Sequence, residues 1–187
     1  MRPGRIPPSA SIFSVRQLQI SITSLASHLA LLALAGLVFS AAISDILRFR
    51  IPNRICVALV LLYPAYVLAS SQPVAWLPAL AVALACLIVG FILFLRNACG
   101  AGDAKLFAAV ALWAGPALIL PLGLYTSLAG GVMVLFLWFQ HRLARAPSAA
   151  MALQTVADPG FSKQPMPYGA AIAVGGLYVA FTLLRVD

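Results

Sequence analysis

The chain has 187 residues, of which 63% are hydrophobic and 9% charged, and its mean hydropathy is +1.03. Soluble domains carry about a quarter of their residues as charge, so a soluble globule is excluded; continuous apolar runs, instead of short alternating strands, exclude a membrane β-barrel. Twelve Lys and Arg face four Asp and no Glu, for a net charge of +8, but the basic residues stand in short loops between apolar runs, which is topology control and not a nucleic-acid surface.

In chain order, residues 1–24 read as a Pro- and Ser-bearing tail with Arg2, Arg5 and Arg16. The remainder, 25–187, reads as one transmembrane domain. A first span fits Leu25–Leu47, longer than a signal-peptide core and followed at once by a second span, so it is expected to be retained. Arg48, Arg50 and Arg54 around Ile51-Pro52-Asn53 form a loop, and a second span covers Ile55–Ser70, with Pro64 a candidate kink. After the uncharged turn Ser71-Gln72-Pro73, a third span runs from Val74 to Leu95, and Arg96–Gly102 is a Gly-containing loop. Ala104–Phe139 is apolar apart from Lys105; at ~1.5 Å per residue it is too long for one crossing and long enough for two. Gly115-Pro116 is the expected break, with Pro121 a second candidate. Residues 140–166 are polar, and a last span covers Pro167–Leu184. The expected fold is all-α and polytopic, with about six transmembrane helices.

The loops at 48–54, 96–103 and 140–166 carry most of the basic residues and fall on one side of such a chain, which places them in the cytoplasm. The three Arg of the tail oppose this assignment. Trp76, Trp113 and Trp138 fall near span ends, as interfacial anchors do. Cys56, Cys86 and Cys99 are scattered without metal-ligand spacing and read as small packing residues; no metal is expected.

Four acids in such a chain each need a reason. Asp45 lies in the last turn of the first span, where a carboxylate is costly; pairing with Arg48 at i+3 is the ordinary explanation. Asp103 begins the fourth span, where capping a helix start is the ordinary explanation. Two spans lie between them, so the chain returns to the side it left, and both carboxylates are expected at similar depth. Two carboxylates a few Å apart cannot both ionise: one can deprotonate water while the other polarises a carbonyl. They titrate as a unit, and neither role attaches to one residue. Gly100 and Gly102 permit close backbone approach beside Asp103, and equally a plain flexible turn. Asp158 reads as solvated, Asp187 as the terminal residue, His28 as packed or interfacial, and His141 as solvated or headgroup-facing.

Gly100-Ala101-Gly102-Asp103-Ala104-Lys105 resembles the GxGDxK motif of the type IV prepilin peptidases, membrane aspartic proteases. Asp45 followed by Ile51-Pro52-Asn53 resembles the family's first aspartate with its trailing IPN. The continuation Leu106–Pro116, with Leu112-Trp113-Ala114-Gly115-Pro116, and the PYG element Pro167-Tyr168-Gly169 with Ala171-Ile172 are also similar, so the resemblance covers about residues 25–186. It implies a multi-pass enzyme of the bacterial inner membrane that removes a short basic leader from prepilins at the cytoplasmic face, with Asp45 and Asp103 as the dyad. It also implies support from Gly100, Gly102, Lys105, Pro52, Asn53, Pro167, Tyr168 and Gly169, without a role for Lys105 that spacing can supply. Larger members carry a four-cysteine insertion after the first span and N-methylate the pilin. The seven-residue loop here instead resembles the short, peptidase-only form of tight-adherence pili, with no cofactor and no methyl transfer expected.

The non-enzyme alternatives are a small proton- or ion-coupled transporter using its intramembrane aspartates and a pilus-assembly subunit that binds prepilin without cutting it. A presenilin-like protease would keep the chemistry, but Pro116-Ala117-Leu118 stands too close after Asp103 and Ser44 replaces the expected Tyr.

Overall fold

A computed structural model describes residues 8–70, 72–144 and 168–186, and all its elements are helices: α1 (Pro8–Arg48), α2 (Asn53–Ala69), α3 (Trp76–Leu95), α4 (Ala101–Ala144) and α5 (Tyr168–Val186). Pro167, Asp158, Arg145 and Asp187 lie outside the described residues. α1 starts at Pro8, a residue suited to a first helical turn, and so runs through much of the stretch read as a tail.

Four helices are long and apolar enough to cross a membrane, and α2, at 17 residues, is a shorter apolar helix. Counting helices in this way gives fewer crossings than the six read from the sequence.

The difference comes partly from α4, whose 44 residues are interrupted at Gly115 (φ 56°, ψ −168°). That combination is open almost only to glycine. Asp103 and Val134 nevertheless line one cavity, whereas a straight helix would set them roughly 46 Å apart. The chain therefore doubles back at the break expected at Gly115-Pro116, giving an N-terminal arm (101–114) and a C-terminal arm (116–144).

Both arms rest on the glycine pair of α5. A Cβ on Gly175 would lie 2.5 Å from Thr126 Oγ1 and 2.8 Å from the Leu122 carbonyl oxygen, and one on Gly176 would lie 3.3 Å from Val110. Small residues let helix backbones approach this closely in the absence of a hydrophobic driving force between helices. On its other side Gly176 meets Val38 of α1, so α5 is packed between α1 and both arms of α4.

The centre is filled by Leu31, Leu34, Val38, Leu59, Leu106, Val110 and Val179, while most of α3 and the C-terminal arm of α4 expose large apolar side chains, as lipid-facing helices do. Trp113, read from the sequence as interfacial, is buried. It stacks with Tyr63 and Tyr66 at ring separations of 5.5 and 5.3 Å, and its Nε1–H donates to the Leu59 carbonyl at 3.1 Å. Trp76 and Trp138 are about half exposed.

Candidate active site

Asp45 is carried by the last turn of α1. The helix stops one turn later because Phe49 turns left-handed (φ 49°) and the following Pro52 has no N–H to continue the ladder. Ser44 Oγ donates to the Arg50 carbonyl at 3.0 Å, which folds the loop back under the helix end.

The Asp45 side chain is 5% exposed. Its partners come from α5 and not from Arg48: the Gly169 backbone N–H donates to Oδ2 at 2.6 Å, and the Ala170 backbone adds a second bond. A carboxylate is thus held by the first free amides of a helix, where both the donors and the dipole favour negative charge. Gly169 is required by the approach itself, since a Cβ there would lie 2.8 Å from Asp45 Oδ2.

Asp103 arrives from the other side. α3 ends in a Schellman motif with Asn97 left-handed (φ 57°): Ala98 N–H bonds to the Leu93 carbonyl at 2.9 Å and Asn97 N–H to the Phe94 carbonyl at 2.9 Å. The chain then turns through Gly100 into α4. Asp103 lies in the first turn of α4, inside the helix and past its cap position. The Gly100 backbone bonds to its carboxylate, and a Cβ at Gly100 would lie 2.6 Å from Oδ2. Both motif glycines beside the aspartates therefore answer to close contact, which is more than a flexible turn needs.

Asp45 and Asp103 line one cavity of about 590 Å³ with mixed lining, the more polar of two neighbouring cavities, and lie close enough for the charge of Asp45 to act on Asp103. Asn53, Gly100, Gly102, Lys105 and Tyr168 line the same space. Lys105 acquires a partner that helix spacing could not reveal: its Nζ donates to Asn53 Oδ1 across to α2, at a long 3.4 Å. Pro52 forms the N-cap position of α2. The sequence-read residues thus gather in one place, with Pro167 outside the described residues.

A second cavity of about 660 Å³, almost entirely apolar, lies between α3, both arms of α4 and α5. It shares Ala98, Cys99, Asp103 and Tyr168 with the polar one. Burial, helped by the negative charge of Asp103, pushes the Cys99 thiol above its ordinary range, which favours its protonated form. Among the described residues, no group of three or more His, Cys, Asp or Glu side chains is placed to hold a metal ion.

Sequence reasoning assigned no role to Ile51. Its side chain occupies the space a Cβ would need at both Gly102 and Gly169, and the only sequence signal was its place at the head of Ile51-Pro52-Asn53.

With both carboxylates in one cavity, the comparison with protein families is decisive: the model of the type IV leader peptidase family matches residues 32–135, more than half of the chain and inclusive of both aspartates. The chain belongs to the type IV leader peptidase family. It is accordingly a peptidase of an all-helical, membrane-type fold. Comparisons with curated proteins and with solved structures return no match.

Proposed function

We propose that this leader peptidase is an aspartic endopeptidase that removes the short basic leader of type IV, Flp-like prepilins at the cytoplasmic face of the bacterial inner membrane. The observation that carries the reading is the convergence of Asp45 and Asp103 on one polar cavity, although α2 and α3 intervene in the chain.

In this mechanism the two carboxylates come close enough to share a proton when substrate is bound. The ionised one takes a proton from water as the water oxygen attacks the scissile carbonyl carbon. The protonated one donates a hydrogen bond to the carbonyl oxygen as charge develops there. Collapse of the tetrahedral intermediate breaks the C–N bond, and the leaving nitrogen receives a proton from the pair. Gly169 and Ala170 hold Asp45, while Gly100 lets the backbone lie against Asp103. The polar and apolar cavities meet at Asp103 and Tyr168, an arrangement suited to a substrate that changes from polar to apolar at the cleaved bond.

The chain crosses the bilayer about six times in this reading, with α2 and each arm of α4 counted as crossings; the reversal at Gly115 supports the count. The basic loops beside the site then face the cytoplasm. The short 49–52 connection after Asp45 leaves no room for the inserted domain of methylating relatives, so the activity is peptidase only.

Incubating the purified protein with a basic-leader prepilin and a labelled methyl donor tests these points together. A shortened, unlabelled pilin is expected. Intact prepilin would reject the peptidase reading, and Asp45-dependent transport into vesicles would then favour the transporter. A labelled product would reject the peptidase-only form.

A further inference from the structure

The two carboxylates are held by different parts of the chain, Asp45 by the amides that open α5 and Asp103 by the turn that opens α4. Something must fix the distance between those two backbones, because a shared proton and an in-line water tolerate little error in position.

One side chain reaches both. A Cβ built on Gly102, the residue before Asp103, would lie 3.3 Å from Ile51 Cβ and 3.7 Å from Ile51 Cδ1. A Cβ built on Gly169, whose N–H holds Asp45, would lie 2.9 Å from Ile51 Cδ1. Ile51 is itself half-buried and lines the polar cavity. Its backbone is anchored on both sides, by Ser44 gripping the Arg50 carbonyl and by Pro52 leading into α2. A β-branched side chain has few rotamers open to it, so an anchored Ile is a stiff spacer where Leu or Met would not be.

We infer that Ile51 is a positioning residue: its side chain, wedged between the Gly102 and Gly169 backbones, sets the separation of the Asp45 and Asp103 carboxylates. Cβ bears on the Asp103 side, while Cδ1 reaches both sides and lies closer to the Asp45 side. Truncation to Ala removes the spacer and leaves a space that the surroundings fill only in part. Truncation to Val keeps Cβ and removes Cδ1 alone.

This inference rests on the dyad reading above, and the experiment separates the two. Cleavage of a basic-leader prepilin is measured against pH for the wild type, Ile51→Val and Ile51→Ala, with Asp45→Asn and Asp103→Asn alongside. Insertion and folding of each variant are checked by its elution profile in detergent. Coupling between two close carboxylates separates the acid and basic limbs of such a profile, so a loosened spacer brings the limbs together. The expected result is a kcat reduced on the order of 10–100-fold in Ile51→Ala and less in Ile51→Val, with KM little changed and the limbs closer.

A profile of wild-type shape in Ile51→Val, whatever its rate, overturns the spacer role. If Ile51→Ala does not fold, Ile51→Val decides alone. Should the Asn variants keep full activity, the dyad itself fails, and the Ile51 inference falls with it.

Discussion

At Gly169 a single added carbon has no room on either side. Its Cβ would lie 2.8 Å from Asp45 Oδ2 and 2.9 Å from Ile51 Cδ1, distances that overpacked interiors relieve only by moving the backbone or the side chains. Gly169→Ala is expected to lower the cleavage rate by more than about tenfold, because a small displacement at a reacting centre is amplified in the rate. The loss of stability should stay within roughly 1–3 kcal/mol. Parallel rate and thermal-unfolding measurements check this, and an unchanged rate would detach the start of α5 from the site. Lys105→Gln should do little to stability, since the bond it replaces is long and exposed. The aspartates were legible because a carboxylate in an apolar stretch stands out. Gly169 drew notice only through the family motif, since its partner is 124 residues away and an amide leaves no mark in a side-chain pattern. Ile51 likewise drew notice only as the head of the IPN element, and its contacts were not legible because an Ile in an apolar chain looks like every other Ile.

Elements fared unevenly for reasons that lie in backbone chemistry. The break in α4 was visible as Gly115-Pro116, where Pro removes a donor and Gly permits the left-handed turn. A reversal and not a mere kink was the expectation there, because the apolar run is long enough for two crossings. The placement of Val134 beside Asp103 agrees with it. Gly115→Ala should therefore lower the thermal midpoint, with a cost of about 1–3 kcal/mol from backbone strain. Space is not the obstacle, since the nearest atom to a Cβ there is Ala79 Cβ at an ordinary 3.6 Å. An unaltered midpoint would contradict the turn. α1 runs back to Pro8, well before its apolar span Thr23–Arg48, through a stretch whose Arg16 and serines carry no apolar signal. From Ser9 to Ala35 there is neither Pro nor Gly, and Ser, Gln and Arg are tolerated in helices.

For the whole molecule, composition alone excluded a soluble fold, and the helices are as apolar as that reading required. The number of crossings is harder to read, because α2 is short and the arms of α4 join without a polar loop. The proposed sidedness rests on loop charge and can be tested in a cysteine-free background. Arg50→Cys is expected to react with an impermeant thiol reagent only after spheroplasts are opened, and Gln72→Cys in intact ones. The reverse pattern would invert the orientation and move the site to the other face.

In the proposed mechanism Asp45 and Asp103 act as one unit, and the most direct measurement of that is prepilin cleavage by Asp45→Asn, Asp103→Asn and the double variant in matched membranes. Groups that act together are non-additive, so each single variant should abolish cleavage and the double should be no worse than either. Wild-type cleavage by either single variant, with normal insertion, would contradict it.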